Sequence, residues 1–165
     1  MKRLILLIVL LLPVLFSCNI RITPAAYNDT IVSLQIEIQA QLTTLEHALD
    51  AKDKDRVNGA IEQTTAVIDS AIARLDELGP YKGDDTMRQV AYKLFNLYRH
   101  YVVEYFREIA TLKMKDPSNI TDEEISAVKA LDTKLHTEQT KLDYAFEQAQ
   151  HDFALKHNLI IEEAH

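Results

Sequence analysis

Seven tyrosines, six histidines and one cysteine are the side chains of this 165-residue chain best suited to chemistry. The histidines are His47, His100, His136, His151, His157 and His165. None belongs to an H-E-x-x-H zinc motif, and no Glu-x-x-His pair occurs on two helices as a di-iron bundle requires. Asp132/His136, His100/Glu104 and Glu147/His151 are each four residues apart, a spacing that gives surface contacts worth a few tenths of a kcal/mol on a helix. No metal site and no other cofactor is therefore expected. No serine, threonine or cysteine stands in a nucleophile-and-base motif. The three glycines stand alone at 59, 79 and 83, so no phosphate loop forms. A non-enzymatic protein is the expectation.

The tyrosines offer recognition chemistry instead. Tyr98, Tyr101 and Tyr105 share one face of a helix, and Tyr27 is placed to face them across a bundle. Together they are candidate ligand-binding residues, an aromatic cleft with hydroxyls as polar handles for an apolar small molecule. The competing expectation is a packed core whose hydroxyls reach the surface or a backbone carbonyl.

The cysteine has the most informative position. Lys2 and Arg3 precede thirteen residues, Leu4 to Phe16, that are apolar throughout and contain Pro13. The run is too short for a bilayer core, which needs roughly 20 residues, and suits the h-region of a signal peptide over residues 1–17. Leu15-Phe16-Ser17-Cys18 then resembles the bacterial lipobox, with Phe16 bulkier than the residue usual there. The resemblance implies cleavage before Cys18 and lipid on its sulfur. Two or three acyl chains would moor a domain stably, because each buried methylene contributes about 0.8 kcal/mol.

Charge cannot replace that lipid. The formal charge is −7. Loss of residues 1–17 removes Lys2 and Arg3 and leaves 16 basic against 25 acidic side chains, a balance of −9. Anionic headgroups and nucleic acid are both disfavoured partners. The expected address is the bacterial cell envelope, foremost its outer membrane, on the periplasmic or the surface face. The expected partners are the membrane, through Cys18, and an envelope protein.

Two shorter resemblances accompany the lipobox. Tyr27-Asn28-Asp29-Thr30-Ile31-Val32-Ser33-Leu34-Gln35 resembles the opening helix of an uncharacterised family of helical bacterial surface lipoproteins. Asp29-Thr30-Ile31, Asp69-Ser70-Ala71 and Asp85-Thr86-Met87 resemble the three-residue O-glycosylation signal of Bacteroidetes envelope proteins.

The elements that must position these residues read as helices. After a short linker at 18–23, residues 24–165 are expected to form one all-α domain, an antiparallel up-down-up-down four-helix bundle. Thr23 and Pro24 cap the first helix, with Ile22 and Tyr27 as a hydrophobic staple. Its seam is Tyr27, Ile31, Leu34, Ile38, Leu42, Leu45 and Leu49, spaced by threes and fours. A turn near 51–55, capped by Asp53 or Asp55, separates it from the second helix; the alternative is one rod to Leu78, about 80 Å long. Gly79-Pro80 stops the second helix, and Gly59 within it either permits close helix approach or weakens one turn. After a loop at 81–85 with Asp84 and Asp85 as candidate caps, a third helix is expected from Asp85 to Lys115. Its apolar arc covers about half the wheel, from Met87 through Ile109 to Leu112. Thr121 and Glu124 form a capping box for the fourth helix, with a staple at Ile120 and Ile125. The fourth seam is Ile125, Val128, Leu131, Leu135, Leu142, Phe146, Ala149 and Phe153. Glu138 and Gln139 interrupt it, where drift of the 3.6-residue turn leaves them solvated or a polar group enters the bundle. Leu159-Ile160-Ile161 form a last turn or a docked tail.

Overall fold

The computed structural model describes residues 22–50 and 53–159. The leader, Cys18, residues 51–52 and the tail from Ile160, with His165, lie outside the described residues. Among the described residues the chain is all-helical, without strands, and forms four helical rods. They are α1 (Pro24–Leu49), α2 (Lys54–Leu78), a third rod made of α3 (Thr86–His100), a π-helical segment (Tyr101–Phe106) and α4 (Arg107–Lys113), and α5 (Asp122–Lys156).

The caps explain the ends. Thr23 Oγ1 accepts from Ala26 N at 3.1 Å, and Pro24 fills a position whose missing N–H costs nothing. α1 stops at Leu49, and Asp53 starts α2 by accepting from Asp55 N and Arg56 N at 3.0 and 3.1 Å. The first two helices are thus separate rods, and the long single rod does not form. Gly79 ends α2 at φ 63°, in the left-handed region where glycine meets no Cβ penalty. The capping box of α5 closes in both directions, Glu124 N to Thr121 Oγ1 at 3.2 Å and Thr121 N to Glu124 Oε2 at 3.1 Å.

Two expectations need correction. Asp85 does not cap α3 through its side chain. Asp84 Oδ1 accepts from Thr86 N at 3.2 Å, which frees the Asp85 carboxylate to hold Arg88 and Gln89. The third rod is also not one regular α-helix from Asp85 to Lys115, because a π turn interrupts it at Tyr101–Phe106. The buried residues Tyr98, Val102, Phe106 and Ala110 give the reason. They are spaced by four three times. In a straight α-helix, twelve residues at 100° each carry Ala110 about 120° away from Tyr98. One residue absorbed by the wider turn cuts that to about 20°, so all four stay on the core side. Ile109 and Leu112, expected inside, are accordingly half-buried.

α1 packs mainly on α2, and α5 mainly on α3, while α2 and α3 join the two pairs. The core holds Ile31, Leu34, Ile38, Ile68, Leu94 and Phe95, all fully buried. Gly59 does not serve close approach, since a Cβ built there meets nothing within 4 Å. Along α5 burial is uneven. Phe146, Ala149 and Phe153 are buried, whereas Val128 and Leu131 are half-buried and Ile125 is 39% exposed. Ile125 and Ile120 therefore do not form a buried staple.

Candidate functional site

The four candidate tyrosines occupy two places. Tyr27 sits in the first turn of α1, fully buried, and its hydroxyl donates to Gly79 O at 2.9 Å. Its ring lies 5.3 Å from Phe153 and 5.2 Å from Tyr81. This trio ties the start of α1, the end of α2 and the last turns of α5 together. His157 closes the cluster, 4.9 Å from the Tyr81 ring and 4.5 Å from Phe153. Burial first, then the nearby Asp85 charge, pushes the Tyr27 hydroxyl up to about 12. Tyr81 lies in the loop after α2, and it is buried. It opens a tight turn with Asp84, closed by paired backbone bonds of 2.9 Å and carried by positive φ at Lys82 and Gly83.

Tyr98, Tyr101 and Tyr105 form the second place, along the third rod. Tyr98 is buried, and its hydroxyl donates to Asp143 Oδ1 of α5 at 3.3 Å, with Gln35 and Gln39 of α1 reaching the same group. Tyr101 and Tyr105 lie within the π turn, half-buried, with ring centroids 5.7 Å apart and edge to face. Asp132 of α5 faces both hydroxyls, and Glu46 of α1 adds to the field at Tyr105. Burial is the main cause that raises all three hydroxyls, and the carboxylates raise them further. They remain protonated donors near neutral pH. The seam can present hydroxyls to an acceptor, and it supplies no phenolate base.

The ring neighbours of Tyr27 are thus Tyr81 and Phe153 rather than Tyr98, Tyr101 and Tyr105. Asp132 and Asp143 were not singled out as partners of the tyrosines. Asp132 falls one residue after Leu131, and Asp143 one after Leu142, each beside an apolar seam position. That placement is the signal that could have found them.

The remaining chemistry-bearing groups are dispersed. His100 bonds Glu104 across one helical turn at 3.2 Å, and His151 lies 3.8 Å from Asp152 rather than against Glu147. His47 and His136 are exposed. Among the described residues no three His, Cys, Asp or Glu side chains converge to hold a metal ion. Glu138 is exposed and Gln139 half-buried, so neither enters the core. Among the described residues no helix is long and apolar enough to cross a membrane. No family model, curated protein or solved structure matches the chain.

Proposed function

We propose that this chain is a lipid-anchored protein of the bacterial cell envelope, foremost of the outer membrane, and that it acts as a non-enzymatic binding or scaffolding module for an envelope protein. The observation that carries the reading is the position of Cys18. The chain's one cysteine stands where the apolar run from Leu4 to Phe16 ends, behind Leu15-Phe16-Ser17. Lipid on that sulfur would hold the helical domain, with its excess of acidic side chains, where charge alone would repel it.

The bundle is read as up-down-up-down. Three long-range contacts support this order. Tyr27 in the first turn of α1 bonds Gly79 at the end of α2, Asp50 after α1 pairs with Lys113 at the end of α4, and Asp84 before α3 pairs with Lys156 at the end of α5. In that order the described chain enters α1 at the Tyr27–Phe153 end, and an anchor preceding it would bring that end to the membrane. The start of α5 then stands about 52 Å from its other end, at 1.5 Å per residue over 35 residues, and faces away from the membrane.

Intact-mass analysis of the protein extracted from membranes tests the anchor. A chain beginning at Cys18 with added acyl mass is expected, and a full-length chain with a free thiol overturns the reading. A second reading, an apolar-ligand carrier, draws on the hydroxyls of Tyr98, Tyr101 and Tyr105. Native mass spectrometry of the purified protein separates the two. A reproducible co-purifying small molecule supports the carrier, and an unliganded chain supports the scaffold.

A further inference from the structure

Six of the fourteen lysines and arginines among the described residues have a carboxylate within 4 Å. Lys113 pairs with Asp50 at 2.8 Å, Lys115 with Glu124, Arg99 with Asp69 at 2.7 Å, and Lys156 with Asp84 at 2.7 Å. Even the groove between α3 and α5 is balanced, with Lys93 and Lys134 lining it together with Glu104 and Glu138.

One hollow has cations and no carboxylate in its lining. Between α2 and α4 lies a pocket of about 170 Å³ whose ionisable lining residues are Lys54 and Arg107 alone. Neither has a carboxylate within 4 Å among the described residues. Two like charges brought from separate helices to one concavity repel each other, and in a chain of charge −7 no shortage of acidic side chains forces that arrangement. The floor is apolar, built from Val57, Ala110 and Met114, with Asn58 adding an amide at the edge. Val57 and Ala110 are themselves buried, so the floor is part of the core rather than a mobile rim.

A cationic rim over an apolar floor selects an amphipathic anion. We propose that this pocket binds a small monocarboxylate with a short hydrocarbon tail. The carboxylate would lie between the Lys54 ammonium and the Arg107 guanidinium, whose planar fork suits two carboxylate oxygens. The tail would cover Val57, Ala110 and Met114. The pocket is small and partly open, which limits the buried part of the tail to a few carbons. Neither lipid on Cys18 nor the tyrosine seam enters this argument.

Equilibrium dialysis of labelled hexanoate tests the site on the full-length chain in phosphatidylcholine nanodiscs, with empty nanodiscs as the blank. Saturable one-to-one binding is expected. It should be displaced poorly by hexanol, which lacks the charge, and by inorganic phosphate, which lacks the tail. Arg107→Gln and Lys54→Gln, both on exposed side chains, should each weaken binding by about tenfold or more, the usual scale for losing a charged hydrogen bond. Binding no greater than to empty nanodiscs overturns the proposal. So does displacement by hexanol as effective as that by unlabelled hexanoate, which would mean partition into apolar surface. Equal displacement by phosphate would mean a site for any anion and also overturns it. Should the variants fail to fold, the competition on the unaltered chain still decides.

Discussion

The two halves of α5 are parts of one helix, yet they are held in different ways. Near its C-terminal end, Phe153 stacks on Tyr27 and meets Tyr81 edge to face, Lys156 reaches Asp84, and Leu159 packs against the core. Those partners lie about 70 to 130 residues away in sequence. Near its N-terminal end, the helix is secured by the Thr121–Glu124 capping box and by Lys115 on Glu124, all local contacts. Its apolar side chains there, Ile125, Val128 and Leu131, remain partly in water. Good capping starts a helix without docking it. Most helical stability in a domain comes from burial of an apolar face, and α5 buries side chains at Leu135, Phe146, Ala149 and Phe153 rather than in its first turns.

The widest separation between the halves should come from truncating their apolar anchors. Phe153→Ala is expected to cost about 3–5 kcal/mol, because it empties a site shared by three rods. Leu131→Ala, on a half-buried side chain, should cost about 1 kcal/mol. Urea denaturation of both variants measures the difference, and equal losses would break the comparison. Amide hydrogen exchange should show the same division, with slower exchange around Ala149–Phe153 than around Ile125–Leu131.

Tyr27→Phe comes next. It keeps the ring but leaves Gly79 O without its donor, at a cost of about 1–3 kcal/mol. The same hydroxyl gives an alkaline signature. Its folded value of about 12 exceeds the ordinary 10.0, so the folded state holds the proton more tightly. That stabilisation is complete below pH 10 and is lost as pH rises from 10 towards 12. A pH series of denaturation curves should fall across that interval for the unaltered chain and fall less for Tyr27→Phe.

At the other end of α5, Thr121→Ala should cost about 1 kcal/mol, the usual loss of a helix cap. Its effect should be confined to exchange in the first turns, with amides near Phe153 unchanged. Slower protection lost throughout α5 would show that the two halves unfold as a unit. The smallest effect is a gain. Gly59→Ala should stabilise the chain by about 0.5–1 kcal/mol, because the helical site is open and alanine restricts the unfolded chain more than glycine. A loss on thermal melting would mean that α2 meets a neighbour there.

Much of this was readable along the chain. Thr23-Pro24, Gly79-Pro80 and Thr121-x-x-Glu124 marked helix ends because capping is local chemistry between residues within one turn. The seams of α1 and α2 are readable because each is uninterrupted α-helix and buries one stripe. The third rod was misread for the opposite reason. Its wide arc reads as one regular helix, whereas the repeated spacing of four through Tyr98, Val102, Phe106 and Ala110 belongs to a helix that changes its turn. The candidate tyrosines were visible as types, but their partners were not. Gly79 O, Asp132 and Asp143 come from other rods, and pairing across rods depends on their rotation and depth.

An all-helical chain, most of its caps and the seams of α1 and α2 follow from interactions within a few positions of the sequence. Only the packing of the rods puts Tyr27 and Tyr98 in separate places, lets a π turn re-aim the third rod, and brings Lys54 and Arg107 to one pocket. Those outcomes turn on how whole helices meet. Close packing between rods leaves few phases that keep every apolar side chain inside, and the energy of that choice is spread over residues far apart in the chain.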